Sequence, residues 1–180
     1  MGELRNVDPV LMFSAVFAPT EGALDWAKEK MQQHWAPIAL SSPVFQFTET
    51  EYYAAEMGAE LLKQLVVLEP LQAPEWLPGA KRQSNQWEAE YQQLMETPDA
   101  RPVNIDPGYV TLAKLVLATT KDRDHRLYLG QGIYGEVTLH YKHGQWTADR
   151  WTYPDFQRAD YHLFLEQCRE YLKSQKKQRP

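Results

Sequence analysis

From residue 133 to 141 apolar and polar side chains alternate without a break. Ile133, Gly135, Val137, Leu139 and Tyr141 share one parity, and Tyr134, Glu136, Thr138 and His140 share the other. A period of two predicts a half-buried β-strand. The residues before it fix its partner. A three-residue loop at Gly130-Gln131-Gly132 sets Leu129 against Ile133, Leu127 against Gly135 and Arg126 against Glu136, so the apolar sets coincide. A two-residue loop would mix the faces, and side-chain parity disfavours it. A second turn at His143-Gly144 sets Tyr141 against Trp146. Residues 125–152 are therefore predicted to form a three-stranded antiparallel meander. Arg126, Tyr128, Tyr134, Glu136, Thr138 and His140 should line one face of it.

Upstream, residues 10–17 are continuously apolar and end at Pro19, which predicts a strand buried on both faces. Thr20 can cap a helix in which Leu24, Ala27 and Met31 recur at helical spacing to about His34. Two extended pieces follow, at 38–40 and 44–48, then a short helix over 51–58 that Gly58 ends. Residues 61–68 suit an internal strand, with helix as the alternative. Pro70, Pro74 and Pro78 predict an irregular connector, and residues 80–95 return to helical periodicity. Residues 103–105 read as a strand running into a type II turn at Asp106-Pro107-Gly108-Tyr109. Residues 111–119 read as a short helix, and 159–174 as a helix whose stripe includes Tyr161, Phe164, Leu165 and Cys168. The order is β-α-β-β-α-β, a meander and a helix. That is an α+β fold whose first part permits a ferredoxin-like arrangement, extended by an antiparallel meander and a C-terminal helix.

At 180 residues the chain suits one domain, and its lone cysteine, Cys168, excludes an intramolecular disulfide framework. No apolar run is long enough to span a membrane, and no leader pattern follows Met1, so a cytoplasmic protein is expected. A net charge of −5 argues against a globally basic nucleic-acid binder. The basic cluster of Lys173, Lys176, Lys177 and Arg179 suits the solvated end of a helix.

Candidate chemistry centres on Arg126 and Glu136. As a plain cross-strand ion pair they would contribute about 0.2 to 1 kcal/mol. As part of a site, Arg126 would meet an anionic ligand, while Glu136 orients Arg126 or acts as a base. Asp106 sits at the end of a predicted strand. His125 can work as acid, base or phosphate donor, and Lys121 beside it favours an anion. Strand parity points His125 away from Arg126 unless the strand begins later. Gly130, Gly132 and Gly135 spell GxGxxG, but a strand follows where a dinucleotide fold needs a helix. The longer match to the kinase glycine-rich loop fails because no HRD or DFG follows. His140 and His143 sit at unsuitable spacing on a strand and its turn, and no metal site is expected. Cys168 lies on an apolar stripe and reads as an inert core thiol.

The blocks NIDPGY (104–109), KLVLATTKD (114–122), HRLYLGQGIYGEVTL (125–139), WTYPDF (151–156) and YYAAEMG (52–58) resemble a prokaryotic family catalogued as a domain of unknown function. Some of its members carry a GTP-binding label, for which this sequence holds no guanine-nucleotide motif. The family usually has Asn-Gly at 143–144 and often Ala at 135. The resemblance implies that Asp106, Lys114, Lys121, His125, Arg126, Tyr134 and Glu136 belong to the family's signature. Two readings follow. In one, the chain binds a small phosphorylated or nucleotide-like ligand, with or without acting on it, with Asp106, Glu136 and His125 as catalytic candidates and Lys114, Lys121, Arg126 and Tyr134 as ligand contacts. In the other it is a non-catalytic module whose aromatic-polar sheet face and Trp76 region bind another protein or a second copy.

Overall fold

The computed structural model describes residues 3, 6–48, 57, 61–95 and 101–177. Among these, nine strands form one antiparallel sheet. They are β1 (Val10–Ala18), β2 (Ile38–Ser41), β3 (Phe45–Phe47), β4 (Leu61–Gln72), β5 (Asn104–Val110), β6 (Lys114–Thr119), β7 (Leu127–Gly130), β8 (Ile133–Lys142) and β9 (Gln145–Ala148). Three helices, α1 (Glu21–His34), α2 (Trp76–Met95) and α3 (Ala159–Lys177), and a 3-10 helix at Pro154–Gln157 complete the described elements. The expected helix over 51–58 falls, Met57 aside, outside the described residues.

The strands run in the order β2-β4-β1-β5-β6-β8-β7, with β3 also pairing β4 and β9 pairing β8. In the first four, β4 lies between β1 and β2, the strands that α1 connects. Likewise β1 lies between β4 and β5, which α2 connects. These are two interlocked split β-α-β units, the ferredoxin-like arrangement expected from the order of elements. The meander and α3 extend it.

All nine residues of β1 are buried, which places helices over both of its faces. On one side Leu24, Ala27 and Met31 of α1 and Trp87 and Tyr91 of α2 meet Met12, Val16, Val66 and Ile105. On the other, Tyr161, Phe164, Leu165 and Cys168 of α3 meet Leu11, Phe13, Leu65 and Val67. Each such side chain contributes about 1.5 to 3 kcal/mol on burial. Thr20 caps α1, its hydroxyl accepting from the Ala23 N–H at 3.2 Å.

Three expectations are corrected. Residues 114–119 form a strand, because Leu115 and Leu117 pack on the α3 side while Val116 and Ala118 pack with Leu77 of α2. A run buried on both faces carries no period that separates strand from helix. Asp106-Pro107-Gly108-Tyr109 is not a turn but the middle of β5, paired with β1 throughout. Gly108 serves close approach, since a Cβ there would lie 2.2 Å from the Val116 carbonyl oxygen. And α2 begins at Trp76, with Pro78 in its first turn, where a missing N–H breaks no intrahelical bond.

Leu127 lies opposite Gly135 and Tyr141 opposite Trp146, as expected, but at the first turn Ile133 pairs with Gly130 and not with Leu129, because a register shift between Tyr128 and Gly130 leaves Leu129 unpaired. Ile133 and Val137 share a face, both packing with Val116 and Leu77. The alternation does not carry through to Tyr141, however. Leu115 pairs with Leu139 but Val116 with Val137, so Thr138 is an unpaired bulge residue. An extra residue inverts parity beyond it. Leu139 and Tyr141 consequently pack with the α3 cluster. His140 leaves the face of Glu136 and meets Asp149, Nε2 to Oδ2 2.8 Å.

Candidate functional site

In an antiparallel sheet the end of one strand lies beside the start of its neighbour, so residues far apart in sequence meet at one rim. Phe17, late in β1, pairs with Lys63, early in β4, and with Asn104, the first residue of β5. Leu117, late in β6, pairs with Glu136, early in β8. This rim borders a cavity of about 700 Å³. Lys81, Asn85 and Glu88 reach it from α2, and Trp151, Tyr153 and the 3-10 helix line another side. Among the described residues, six lysines and arginines (Lys63, Lys81, Arg101, Lys121, Arg123, Arg126) line it against four carboxylates (Glu88, Asp106, Glu136, Asp155). The local excess is positive in a chain whose net charge is −5.

The centre of the outer wall is Glu136, whose side chain is 2% exposed. Its Oε2 accepts from Arg126 Nε at 2.7 Å and lies 3.2 Å from His125 Nε2. Its Oε1, also buried, has no hydrogen-bond partner among the described residues. Because β7 begins at Leu127, His125 is not bound by strand parity and turns to the same carboxylate as Arg126. Its Nδ1 lies 3.1 Å from Asp124 Oδ1, and its ring stacks on Trp151 at 5.1 Å and 10°. Arg126 also donates from Nη1 to the Lys121 carbonyl at 2.9 Å and from Nη2 to the Tyr153 hydroxyl at 3.1 Å. Three of its five N–H groups are thus engaged among the described residues. Burial works against the guanidinium charge, but the bond and charge of Glu136 outweigh it and hold the Arg126 pKa above its usual value. Burial, reinforced by the Glu136 charge, pushes the Tyr153 phenol up, so it stands as a neutral hydroxyl.

Asp106 occupies the middle of the rim. Its Oδ1 accepts from Lys81 Nζ at 2.9 Å and its Oδ2 from Asn104 Nδ2 at 2.8 Å. Burial raises its pKa, but Lys81 and the nearby charges of Arg101 and Lys63 outweigh that and hold the carboxyl below the usual carboxylate value. Lys81 also donates to the Ile105 carbonyl at 3.0 Å. The inner wall is Lys63, 3% exposed, whose ammonium is bonded to Asp155 and lies 4.6 to 5.2 Å from the ring centroids of Phe17, Phe47 and Phe156.

The cavity brings together Asp106, Lys121, His125, Arg126 and Glu136. Lys114 does not join them, because it pairs with His140 at the opposite end of β6. Tyr134 also stays outside. It is half-buried and packs edge-on against Tyr128 at 5.4 Å. Sequence reasoning missed Lys63 and Lys81, lone charges in an apolar strand and a helix, and Arg101 and Asp155, in an irregular segment and a 3-10 helix, which only the topology assembles. It also missed Arg123, an exposed lining residue without an ion pair among the described residues. Its place in the charged loop 121–124 was the available signal. No group of three or more His, Cys, Asp or Glu able to hold a metal occurs among the described residues. No described helix is long and apolar enough to cross a membrane.

The family model matching residues 8–171 is described as a domain of unknown function, DUF4416. No curated protein and no solved structure matches the chain.

Proposed function

We propose, for a chain that belongs to the DUF4416 family and so inherits no assigned chemistry, that the rim cavity binds a small phosphate-bearing ligand in a cytoplasmic setting. The positive excess of the lining carries this reading. An anion entering the cavity meets Arg123 and Lys121 at the loop and the two unengaged N–H groups of Arg126. Glu136 aims the guanidinium, and the planar fork matches phosphate oxygens. The acid–base groups beside such a ligand are Asp106, Glu136 and His125. The concave shape supports this reading over a flat docking surface.

Thermal unfolding with inorganic phosphate, against chloride at matched ionic strength, tests it. Wild type should be stabilised as binding predicts, by about 2.7 kcal/mol at a hundred times Kd. Arg126→Ala should abolish the shift and Arg126→Lys should restore part of it, since an ammonium keeps charge but not the fork. Arg123→Ala, at an exposed position, should weaken the shift without lowering basal stability. An unchanged shift in both alanine variants would overturn the reading.

A further inference from the structure

We propose that the ligand is a compact hydroxylated phosphate ester of the sugar phosphate class, one hydroxyl of which donates to Glu136 Oε1. This rests on the phosphate reading and narrows it.

The first observation is an asymmetry among the carboxylates of the cavity. Both oxygens of Asp106 accept hydrogen bonds, and Asp155 accepts from Lys63. Glu136 has the most buried side chain of the four, yet among the described residues its Oε1 has no donor while Oε2 has two nitrogen neighbours. A buried carboxylate oxygen without a donor carries an uncompensated desolvation cost. A ligand O–H removes that cost and forms the stronger, charge-assisted kind of hydrogen bond. The oxygens of a phosphate monoester dianion cannot, because they bring negative charge and no proton. The acceptor and the cations of the lining therefore call for different parts of one ligand, a hydroxyl and an anionic group.

The second observation concerns the aromatic rings. An open aromatic ring face is a common platform on which a nucleotide base stacks. Phe17 and Phe47 stack on each other at 5.5 Å, and Lys63 covers both. Lys63 also lies over Phe156. One neighbour of Trp151 is His125, stacked at 10°, and Arg150 lies 5.9 Å from its ring centroid. Tyr153 keeps an exposed ring, but its hydroxyl is tied to Arg126 at the outer wall. What the cavity offers instead are amides and hydroxyls, those of Asn85, Asn104, Thr119 and Thr120. Such groups suit the several hydroxyls of a sugar.

Binding constants by calorimetry for inorganic phosphate, methyl phosphate, ribose 5-phosphate and AMP decide the matter. Wild type should bind ribose 5-phosphate about tenfold or more tighter than methyl phosphate, the gain from a hydrogen bond to a charged group. AMP should bind no tighter than ribose 5-phosphate. In Glu136→Gln the amide oxygen must stay with Arg126 and His125, which puts the NH2 group, a donor, in the place of Oε1. The ratio of ribose 5-phosphate to methyl phosphate affinity should then fall toward one, whatever the change in absolute affinity that the loss of the Glu136 charge brings to both. Equal affinity of wild type for methyl phosphate and ribose 5-phosphate would overturn the proposal, as would AMP binding tenfold tighter than ribose 5-phosphate. An equal loss for every ligand in Glu136→Gln would also overturn it, since Glu136 would then act only through Arg126. If that variant does not fold, the wild-type series decides alone. Failure of all four ligands, inorganic phosphate included, removes the phosphate reading and this proposal with it.

Discussion

The two walls of the cavity use the same ingredients to different ends. On the inner wall a buried cation, Lys63, has one carboxylate partner and a surround of aromatic rings. On the outer wall a buried carboxylate, Glu136, has two nitrogen partners on one oxygen and, among the described residues, none on the other. The first arrangement turns inward, to Asp155 and the rings. The second keeps an acceptor and two guanidinium N–H groups uncommitted. The difference teaches that a buried ion pair is a structural feature when its partners close around it and a candidate site when they leave polar capacity over. The largest test strikes the closed wall. Asp155→Ala leaves the Lys63 ammonium buried without its carboxylate and should cost about 3 to 5 kcal/mol in urea unfolding. Replacing both, with Lys63→Met and Asp155→Leu, should recover most of that loss, because neither charge remains to be compensated. No recovery in the double variant would break the comparison.

The outer wall should be more forgiving. Arg126→Ala should cost about 1 to 3 kcal/mol, since His125 Nε2 stays 3.2 Å from the same carboxylate oxygen. A cost equal to that of Asp155→Ala would place the two walls in one class.

Asp106 lies between them, and its contribution depends on pH. Burial raises its pKa, but Lys81, Arg101 and Lys63 outweigh burial and leave the folded value below the ordinary 3.8. The carboxylate is thus favoured in the folded state. Its stabilisation is fully present above the unfolded pKa and disappears as the pH falls through the lowered folded value. The advantage of wild type over Asp106→Asn should be about 1.5 to 3 kcal/mol at pH 6 and should shrink below pH 3.8. Unfolding curves between pH 6 and 2.5 measure it. An advantage that grows on acidification would reverse the sign assigned to Lys81.

How much of this was legible beforehand depends on the range over which each cause acts. The meander's strands and most of its register could be read from residue parity, which acts between neighbours in sequence, but the shift that pairs Ile133 with Gly130 in place of Leu129 could not. The α+β order followed from alternating periods, and the burial of Cys168 from a helical stripe. The β6 strand was misread because a run such as Leu115 to Ala118, buried on both faces, has no period. The bulge at Thr138 left no mark in the alternation, since it is set by the pairing with β6. At the cavity, Arg126 and Glu136 were legible as a cross-strand pair. Lys63 and Asp155 are 92 residues apart and meet only through the sheet order, so nothing local announced them.

The smallest effect is expected beside the outer wall itself, at Gly135, next to Glu136. A Cβ there would lie 2.8 Å from Leu129 Cδ1, the far end of a side chain on the edge strand β7 that is 41% exposed. Leu129 can turn away toward solvent, so Gly135→Ala should cost under about 1 kcal/mol. The lower conformational entropy that alanine gives the unfolded chain offsets part of this. Gly108 makes the control, since its Cβ would meet the backbone carbonyl of Val116 at 2.2 Å, and backbone cannot step aside. Gly108→Ala should cost at least about 1 to 3 kcal/mol. Urea midpoints of the two variants give the contrast directly. If Gly135→Ala proves the costlier, β7 is held more rigidly against β8 than its exposed leucines imply, and the outer wall is as closed as the inner one.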